Sequence, residues 1–333
     1  MTKPSVPLGL VFSRSGPYAM MAREMEKSAL MAVDEVNESH EFDFTFTPHL
    51  RDPGGIVPAY HTACDDLIRE QRVEHIVGCY TSASRKQVIP IVERTERLLW
   101  HPARYEGFES SDNVIYVGAA PNHTVVPLVR HMLEQIASEV FCAGSNYVWT
   151  WETNRVLREI VTSAGGRILA ERLLELGETS VDHIVKEIVD RRPPVVFNTL
   201  VGESSYVFMR ALHTASVRAG ISIPMLSCSL CEPELKLIGS SASIGCITSS
   251  AYFESIEGPE NRASSRDGRR VTAPTAIPRS TANRLMSASC CSPAPSAAPV
   301  RPTSPRCGAP LQITATIRRK DRSGSIRTTI TVS

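Results

Sequence analysis

Short apolar runs alternate with amphipathic stretches from residue 7 to residue 253. The runs have the length and the Val, Ile and Leu content of buried strands, and they lie in PLGLVFS (7–13), FDFTFTPHL (42–50), VEHIVGCY (73–80), NVIYVGAA (113–120), VFCAGSN (140–146) and PVVFNTLV (194–201). Because runs such as VFCAGSN and PVVFNTLV are apolar on both faces, they are typical of a parallel sheet that helices cover on both sides.

The stretches between these runs show helical periodicity. Apolar side chains recur at three- and four-residue spacing at Val125, Leu128, Val129, Met132, Leu133 and Ile136, and again at Val181, Ile184, Val185, Ile188 and Val189. The alternating order of strands and helices predicts a doubly wound α/β fold with parallel sheets. Periodicity alone leaves a closed α/β barrel open as the alternative.

The chain divides into two parts of opposite charge. Residues 262–333 carry 13 Lys or Arg against 2 Asp or Glu, which leaves residues 1–261 with 23 against 33. The basic part contains eight Pro, eleven Ser and no Phe, Trp or Tyr. Because such a composition buries little apolar area, we expect an irregular, disordered tail over 262–333, whereas the rest suits two domains.

The sequence favours a cytoplasmic protein. The first residues, MTKPSVPLGLVFSRSG, form a short apolar run with an internal Pro and Gly and no cleavage site, so no secretory signal is expected. A misassigned start codon would instead make the protein periplasmic. No stretch reaches the ~20 apolar residues of a membrane span, so membrane insertion is not expected.

Polar and aromatic side chains follow four of the predicted strands. In open α/β sheets ligands bind at the carboxyl ends of strands, beside the first N–H groups of the next helix. The candidate ligand-binding residues in these turns are Ser13, Ser15, Tyr80, Ser82, Tyr147, Trp149, Gly202 and Glu203. Hydroxyls, N–H groups and a carboxylate among aromatic faces would suit a small neutral polar ligand.

Three of these side chains also have a purely structural interpretation. Ser82 could cap its helix, and one of Trp149 and Trp151 is expected to serve packing alone. Glu203 could act as a favourable charge in a first helical turn.

No catalytic or metal-binding signature accompanies these turns. The sequence lacks G-x-S-x-G, the phosphate-binding G-x-x-x-x-G-K and H-E-x-x-H, and an amidase with Cys79 as nucleophile would need a base that nothing designates. Cys228 and Cys231 form a single C-x-x-C without a second pair, so we expect structural cysteines and no metal or cofactor. The sequence therefore predicts a binding protein and not an enzyme.

Eight strings in these regions resemble, in order, the amide-binding regulator of the aliphatic amidase operon and the related urea and short-chain-amide binding proteins. They are LGLVFSRSGP (8–17), RDPGG (51–55), VGCYTSASRKQVIPIVER (77–94), YEGFESSDNVIYVGAAPN (105–122), GSNYVWTWETNR (144–155), FNTLVGESSY (197–206), SCSLCEPEL (227–235) and AYFESIEGPEN (251–261). Together they cover nearly all of residues 7–261.

The resemblance implies two Rossmann-like lobes that close over a small amide or urea, which is the periplasmic-binding-protein-like type I fold. It assigns ligand contacts to Ser82, Tyr147 and Trp149. The family has a Y-P-T turn before Y-E-G-F-E, whereas this chain has His101, Pro102 and Ala103 and so lacks the hydroxyl at position 103. His101, at this turn, is a further candidate ligand-binding residue.

The resemblance also implies two roles with different partners. A cytoplasmic amide sensor would act on an antiterminator protein, and this role is the first hypothesis because no signal is expected. A substrate-binding protein of an ABC transporter would act with a permease. No direct contact with nucleic acid is expected, and a homo-oligomer is left open.

The predicted boundaries place lobe one at 1–121, lobe two at 122–250, a return crossing at 251–261 and the basic tail at 262–333. A back-translation of residues 313–333, read one nucleotide earlier, encodes DYRYDSPEGPVRIDPDNNHGQ, which resembles the C-terminal segment of the family. The same offset around 263–270 gives VVARWPA. These two matches lead to the hypothesis that the tail is off-frame from about residue 263.

Overall fold

Two β-sheets organise the part of the chain that the computed structural model describes. That part comprises residues 3–251, Phe253 and Ser255, together with the backbone of residues 313–318 and 327–332. Each sheet and the helices packed on it are called a lobe below.

The first lobe contains a parallel sheet in the strand order β2-β1-β3-β4-β5. Its strands are β1 (Ser5–Val11), β2 (Thr45–Arg51), β3 (His75–Gly78), β4 (Leu98–His101) and β5 (Val114–Tyr116), and its helices are α1 (Ala19–Glu38), α2 (Ala59–Gln71) and α3 (Ser82–Thr95). Leu8 and Leu10 of β1 pack in the apolar cluster that includes α1, whereas Val11 packs in the cluster of α2 and α3. Helices therefore cover both faces of this sheet, as the apolar runs predict.

The second lobe contains a longer sheet in the order β12-β11-β10-β9-β8-β6-β7. Its strands are β6 (Glu139–Ser145), β7 (Arg167–Leu174), β8 (Val196–Thr199), β9 (Met225–Ser227), β10 (Cys246–Ser249), β11 (Ile313–Arg318) and β12 (Arg327–Val332). Its helices are α4 (Pro121–Gln135), α5 (Val148–Ser163), α6 (Asp182–Arg191), α7 (Glu203–Ala219) and α8 (Glu232–Ile238). Cys142 and Phe141 pack in different clusters, so side chains alternate between the two faces here as well.

The doubly wound α/β prediction is confirmed, and the barrel alternative is wrong. The strand orders describe two open sheets, and β1 to β10 pair in parallel. Both predicted helical stripes lie on helices, the first on α4 and the second on α6.

The basic tail contains two strands that the sequence analysis did not predict. β11 pairs antiparallel with β10 and with β12, which extends the second sheet by a hairpin. The segments ITATIR and RTTITV are rich in β-branched residues, which favour strands even in a polar, charged context. The remainder of the tail and most of the predicted return crossing 251–261 lie outside the described residues, and the frameshift stays a prediction that resequencing the gene tests.

The two lobes are joined by packing as well as by the chain. One apolar cluster contains Leu10 and Phe12 of the first lobe together with Val140 and Phe197 of the second. Across the lobes, α3 contacts α5 and α1 contacts α8. Among the described residues, no helix is both long and apolar enough to span a membrane.

Candidate functional site

The lobes meet where the turn after β1 in one contacts the start of α7 in the other. The backbone N–H of Glu203 donates to the carbonyl oxygen of Pro17 at 2.9 Å. Gly202 has φ +61°, and a Cβ there would lie 2.1 Å from the same oxygen. Only glycine allows this approach, so two of the predicted ligand residues serve the contact between lobes.

A cavity of about 510 Å³ opens beside this contact. Its lining comes from both lobes and consists of Gly16, Pro17, Ala19, Met20, Leu176, Gly177, Glu203, Tyr206 and Leu237. Small-molecule sites in proteins have volumes of roughly 300–1,000 Å³, so a small solute would fit this space.

The turn after β1 is held by contacts within the first lobe. The buried Ser13 hydroxyl lies 2.7 Å from the Tyr60 hydroxyl and accepts a hydrogen bond from the Gly55 N–H at 2.8 Å. Ser15 is exposed two residues further on. The structure therefore uses Ser13 to fix the turn that carries Pro17 to the other lobe.

Ser82 lies at the start of α3 and donates to Glu106 at 2.5 Å. Helix capping is performed by its neighbours, because Thr81 and Ser84 form a reciprocal capping box. The carboxylate of Glu106 also accepts a hydrogen bond from Arg85 at 2.8 Å, and Arg85 is fully buried. Ser82 therefore belongs to a buried charge network rather than to a simple cap.

His101 completes this network from the end of β4. Arg85 always donates, so its contact with His101 Nε2 at 3.3 Å makes that nitrogen the acceptor and leaves the proton on Nδ1, 3.4 Å from the Gly78 carbonyl oxygen. Burial, together with the positive charge of Arg85, lowers the pKa of His101 to about 3. The imidazole is thus neutral at physiological pH.

Tyr80 and Tyr147 belong to different lobes and lie close enough to interact electrostatically. Tyr80 packs against Tyr18 with ring centroids 5.4 Å apart, and Tyr147 lies 6.2 Å from Trp149 by the same measure. Burial raises the pKa of both hydroxyls, and the charge that Tyr80 would carry raises the pKa of Tyr147 further. Both hydroxyls therefore keep their protons and can donate.

Arg104 shares this aromatic environment, and the sequence analysis missed it. Its guanidinium is partly buried and interacts electrostatically with Tyr80, Tyr147, Glu234 and the thiols of Cys228 and Cys231. Within the described ranges it makes no hydrogen bond or ion pair. We call Tyr80, Arg104, Tyr147 and Glu234 the cleft cluster.

Glu234 at the first turn of α8 contributes the acid of this cluster. Its carboxylate accepts hydrogen bonds from the Tyr206 hydroxyl at 3.1 Å, the Cys231 N–H at 3.2 Å and the Cys231 thiol at 3.0 Å. Burial raises the pKa of Glu234. Because Tyr206 also lines the cavity, the cluster and the cavity adjoin.

The two tryptophans of α5 have different environments. Trp149 is buried in the apolar cluster that joins the lobes, whereas Trp151 is half exposed and donates from its indole to Asn146 at 3.1 Å. Trp149 therefore shapes the wall behind Tyr147, and Trp151 lies outside the packed interior.

The sequence pattern thus predicted which turns approach the cleft better than it predicted what each side chain contacts. Tyr80 and Tyr147 come together, while Ser13, Ser82 and His101 belong to first-lobe networks. The rule that strand ends carry ligand residues could have found Arg104, because it follows β4 by three residues. Nothing in the local pattern links it to Cys231 and Glu234, which are far along the chain.

Solved structures of solute-binding proteins are similar to this chain. A solute-binding protein of an ABC transporter from R. palustris, solved with 4-hydroxybenzoate, has 21% identity and a TM-score of 0.76 over 85% of this chain and 79% of that one. The branched-chain amino acid transporter substrate-binding protein LivJ from Streptococcus pneumoniae, solved with isoleucine, has 13% identity and a TM-score of 0.78 over 99% and 100%. The leucine-binding protein LivK from Thermotoga maritima has 16% identity and a TM-score of 0.72 over 84% and 81%.

These likenesses show the fold. A sequence profile of the periplasmic binding protein domain matches residues 6–284, past residue 262, where we expected the family resemblance to end. With that match over most of its length, the chain belongs to the periplasmic binding protein domain family.

Proposed function

We propose that this chain is the solute-binding component of an ABC-type transport system and holds a small organic solute between its lobes. The observation that carries the proposal is the cavity of about 510 Å³, which both lobes line and which adjoins the cleft cluster. Closure of two lobes over a solute explains why Gly202 approaches Pro17 so tightly, since this contact forms only when the lobes meet.

Transport is a better role for this chain than the cytoplasmic sensor that we placed first from the sequence. The structural relatives described above belong to transporters, and this supports the alternative in which a permease is the partner. A transporter component acts outside the cytoplasm, so the proposal also favours the periplasmic location over the cytoplasmic one.

Two ligand classes are candidates, a neutral amide or urea and a carboxylate. The resemblance in the sequence predicts a small amide or urea, and the hydroxyls of Tyr80 and Tyr147 could donate to its carbonyl oxygen. The relatives from R. palustris and Streptococcus pneumoniae were solved with 4-hydroxybenzoate and isoleucine, which both carry a carboxylate.

The geometry supports binding rather than amide hydrolysis. Burial raises the pKa of the Cys79 thiol to about 12, so the nucleophile of the amidase alternative stays protonated. The neutral imidazole of His101 is held by Arg85 and Gly78 and makes no contact with that thiol among the hydrogen bonds of the described residues. A thiol without a base is a poor nucleophile.

Equilibrium titration of the purified full chain with small amides, ureas and carboxylates tests this proposal. We expect one solute to bind per chain and to raise the melting temperature, because a ligand that binds only the folded state stabilises it. The gene neighbourhood separates the roles: permease and ATPase genes support transport, whereas an amidase gene with an antiterminator gene would favour the sensor and contradict our proposal.

A further inference from the structure

Arg104 is a cation in the cleft whose charge nothing in the described part of the chain neutralises directly. Its guanidinium is partly buried, and no hydrogen bond or ion pair involves it there. Removing a charge from water without a partner is unfavourable, so such a group is retained where a partner arrives from outside.

The two carboxylates that interact electrostatically with Arg104 or Tyr147 are already engaged elsewhere. Glu106 binds Arg85 at 2.8 Å and Ser82 at 2.5 Å within the first lobe. Glu234 accepts three hydrogen bonds from Tyr206 and Cys231 within the second lobe. Neither acid lies within ion-pair distance of Arg104, so the guanidinium keeps its five donors available.

We propose that Arg104 binds the carboxylate of the transported solute, so that the chain takes up a small organic carboxylate rather than a neutral amide or urea. This inference rests on the proposed function and names its substrate class. A guanidinium presents a planar pair of N–H donors that matches the two oxygens of a carboxylate. A neutral amide offers one carbonyl oxygen and no negative charge, so it would leave the cation unpaired.

The surroundings of Arg104 suit an anion of small size. The hydroxyls of Tyr80 and Tyr147 keep their protons and can donate to the same carboxylate, one from each lobe. The adjoining cavity between the lobes would hold the remainder of the solute. Burial also keeps Cys228 and Cys231 as thiols, raising the pKa of Cys228 to about 12, so no thiolate competes for Arg104.

Pairs of near-isosteric probes test the inference on the full chain by calorimetry. Benzoate with benzamide, 4-hydroxybenzoate with 4-hydroxybenzamide, and acetate with acetamide each differ mainly in one negative charge. We expect the carboxylate of the best-bound pair to bind roughly 10- to 100-fold more tightly than its amide, which is the range of a charged hydrogen bond.

Three variants identify the source of this preference. Arg104→Gln should abolish the difference between carboxylate and amide, whereas Arg104→Lys should keep part of it because the charge remains. Arg69→Gln removes an exposed arginine of α2, which pairs with Asp65 on the same helix, and should leave the ratio unchanged. Melting temperatures of the variants control for folding.

The outcomes separate this inference from the proposed function. Carboxylate preference that is lost in Arg104→Gln and kept in Arg69→Gln supports both. Preference for the amide, or a carboxylate preference that survives Arg104→Gln, would overturn the inference and leave the proposed function standing. Absence of binding by every pair would overturn the inference, and absence of binding by every solute in the wider titration would overturn the proposed function as well.

Discussion

Two arginines of the first lobe, one in the first turn of α3 and one in the turn after β4, differ in whether a carboxylate neutralises them. Arg85 is fully buried, binds Glu106 at 2.8 Å and Glu109 at 2.6 Å, and lies 5.6 Å from the ring centres of both Tyr105 and Tyr116. Arg104 lies in the cleft among tyrosines and thiols and has no direct partner in the described residues. The difference teaches that neutralisation, and not burial alone, separates a structural charge from one that is available to a solute.

The first test removes the neutralised cation. Arg85→Met should lower the free energy of unfolding by about 3–5 kcal/mol, because the buried Glu106 loses its hydrogen-bonded counter-ion and keeps only the half-exposed Lys86 at 3.7 Å. Arg104→Met is the matched control and should change stability little, since it breaks no ion pair. Urea denaturation of both variants measures the contrast, and equal losses would contradict the distinction between the two sites.

The second test opens the contact that encloses the cleft cluster. Gly202→Ala should weaken solute binding and lower the free energy of unfolding by about 1–3 kcal/mol. The reason is that φ is positive at this position and the new methyl group would collide with Pro17. Gly220→Ala is the control, since Gly220 has φ +65° but no atom within 4 Å of the added Cβ. We expect only Gly202→Ala to reduce affinity in a titration, and equal affinities in the two variants would argue against closure at this contact.

The third test uses pH to probe the network of Arg85. His101 has a folded pKa of about 3, below its ordinary value of 6.5, so the unfolded chain binds the extra proton between these values. Stability is therefore lost as pH falls through this window, by roughly 2 kcal/mol between pH 7 and pH 5. Glu109 adds a further loss of stability at lower pH. Burial alone would raise the pKa of this carboxyl, but hydrogen bonds from Arg85 and Lys86 lower it to about 2.

Urea denaturation at pH 7 and at pH 5 measures this slope, which is the change in the free energy of unfolding with pH. His101→Asn should flatten it, whereas replacing the exposed His183 by Asn should leave it unchanged. An unchanged slope in His101→Asn would show that other groups govern the acid sensitivity.

The smallest expected effect concerns Ser82. Ser82→Ala removes a hydrogen bond to Glu106 while Arg85 remains in place, so we expect a loss of about 1 kcal/mol in unfolding free energy. Ser15→Ala, at an exposed position, is the control. If Ser82→Ala instead leaves stability intact and lowers solute affinity, Ser82 is a ligand contact, as the family resemblance implies.

Much of the fold could be predicted because each of its elements repeats a local pattern. Apolar runs such as VFCAGSN and the stripe from Val125 to Ile136 define strands and helices through nearest neighbours in the sequence. The strands of the tail were not predicted, because they contain Thr and Arg as well as Ile. The prediction relied on the polar, basic composition of the tail and gave too little weight to its β-branched residues.

The sequence by itself determined the parallel α/β class, the polar turns at strand ends and the presence of Tyr80 and Tyr147 among them. Only the tertiary structure decided that Ser82 and His101 join Arg85, and that Arg104 comes within electrostatic reach of Glu234 and Cys231 across the lobes. The reason is that strand ends converge through sheet order and lobe packing, which bring together residues more than a hundred positions apart. A charge becomes structural or available only after its neighbours in space are known.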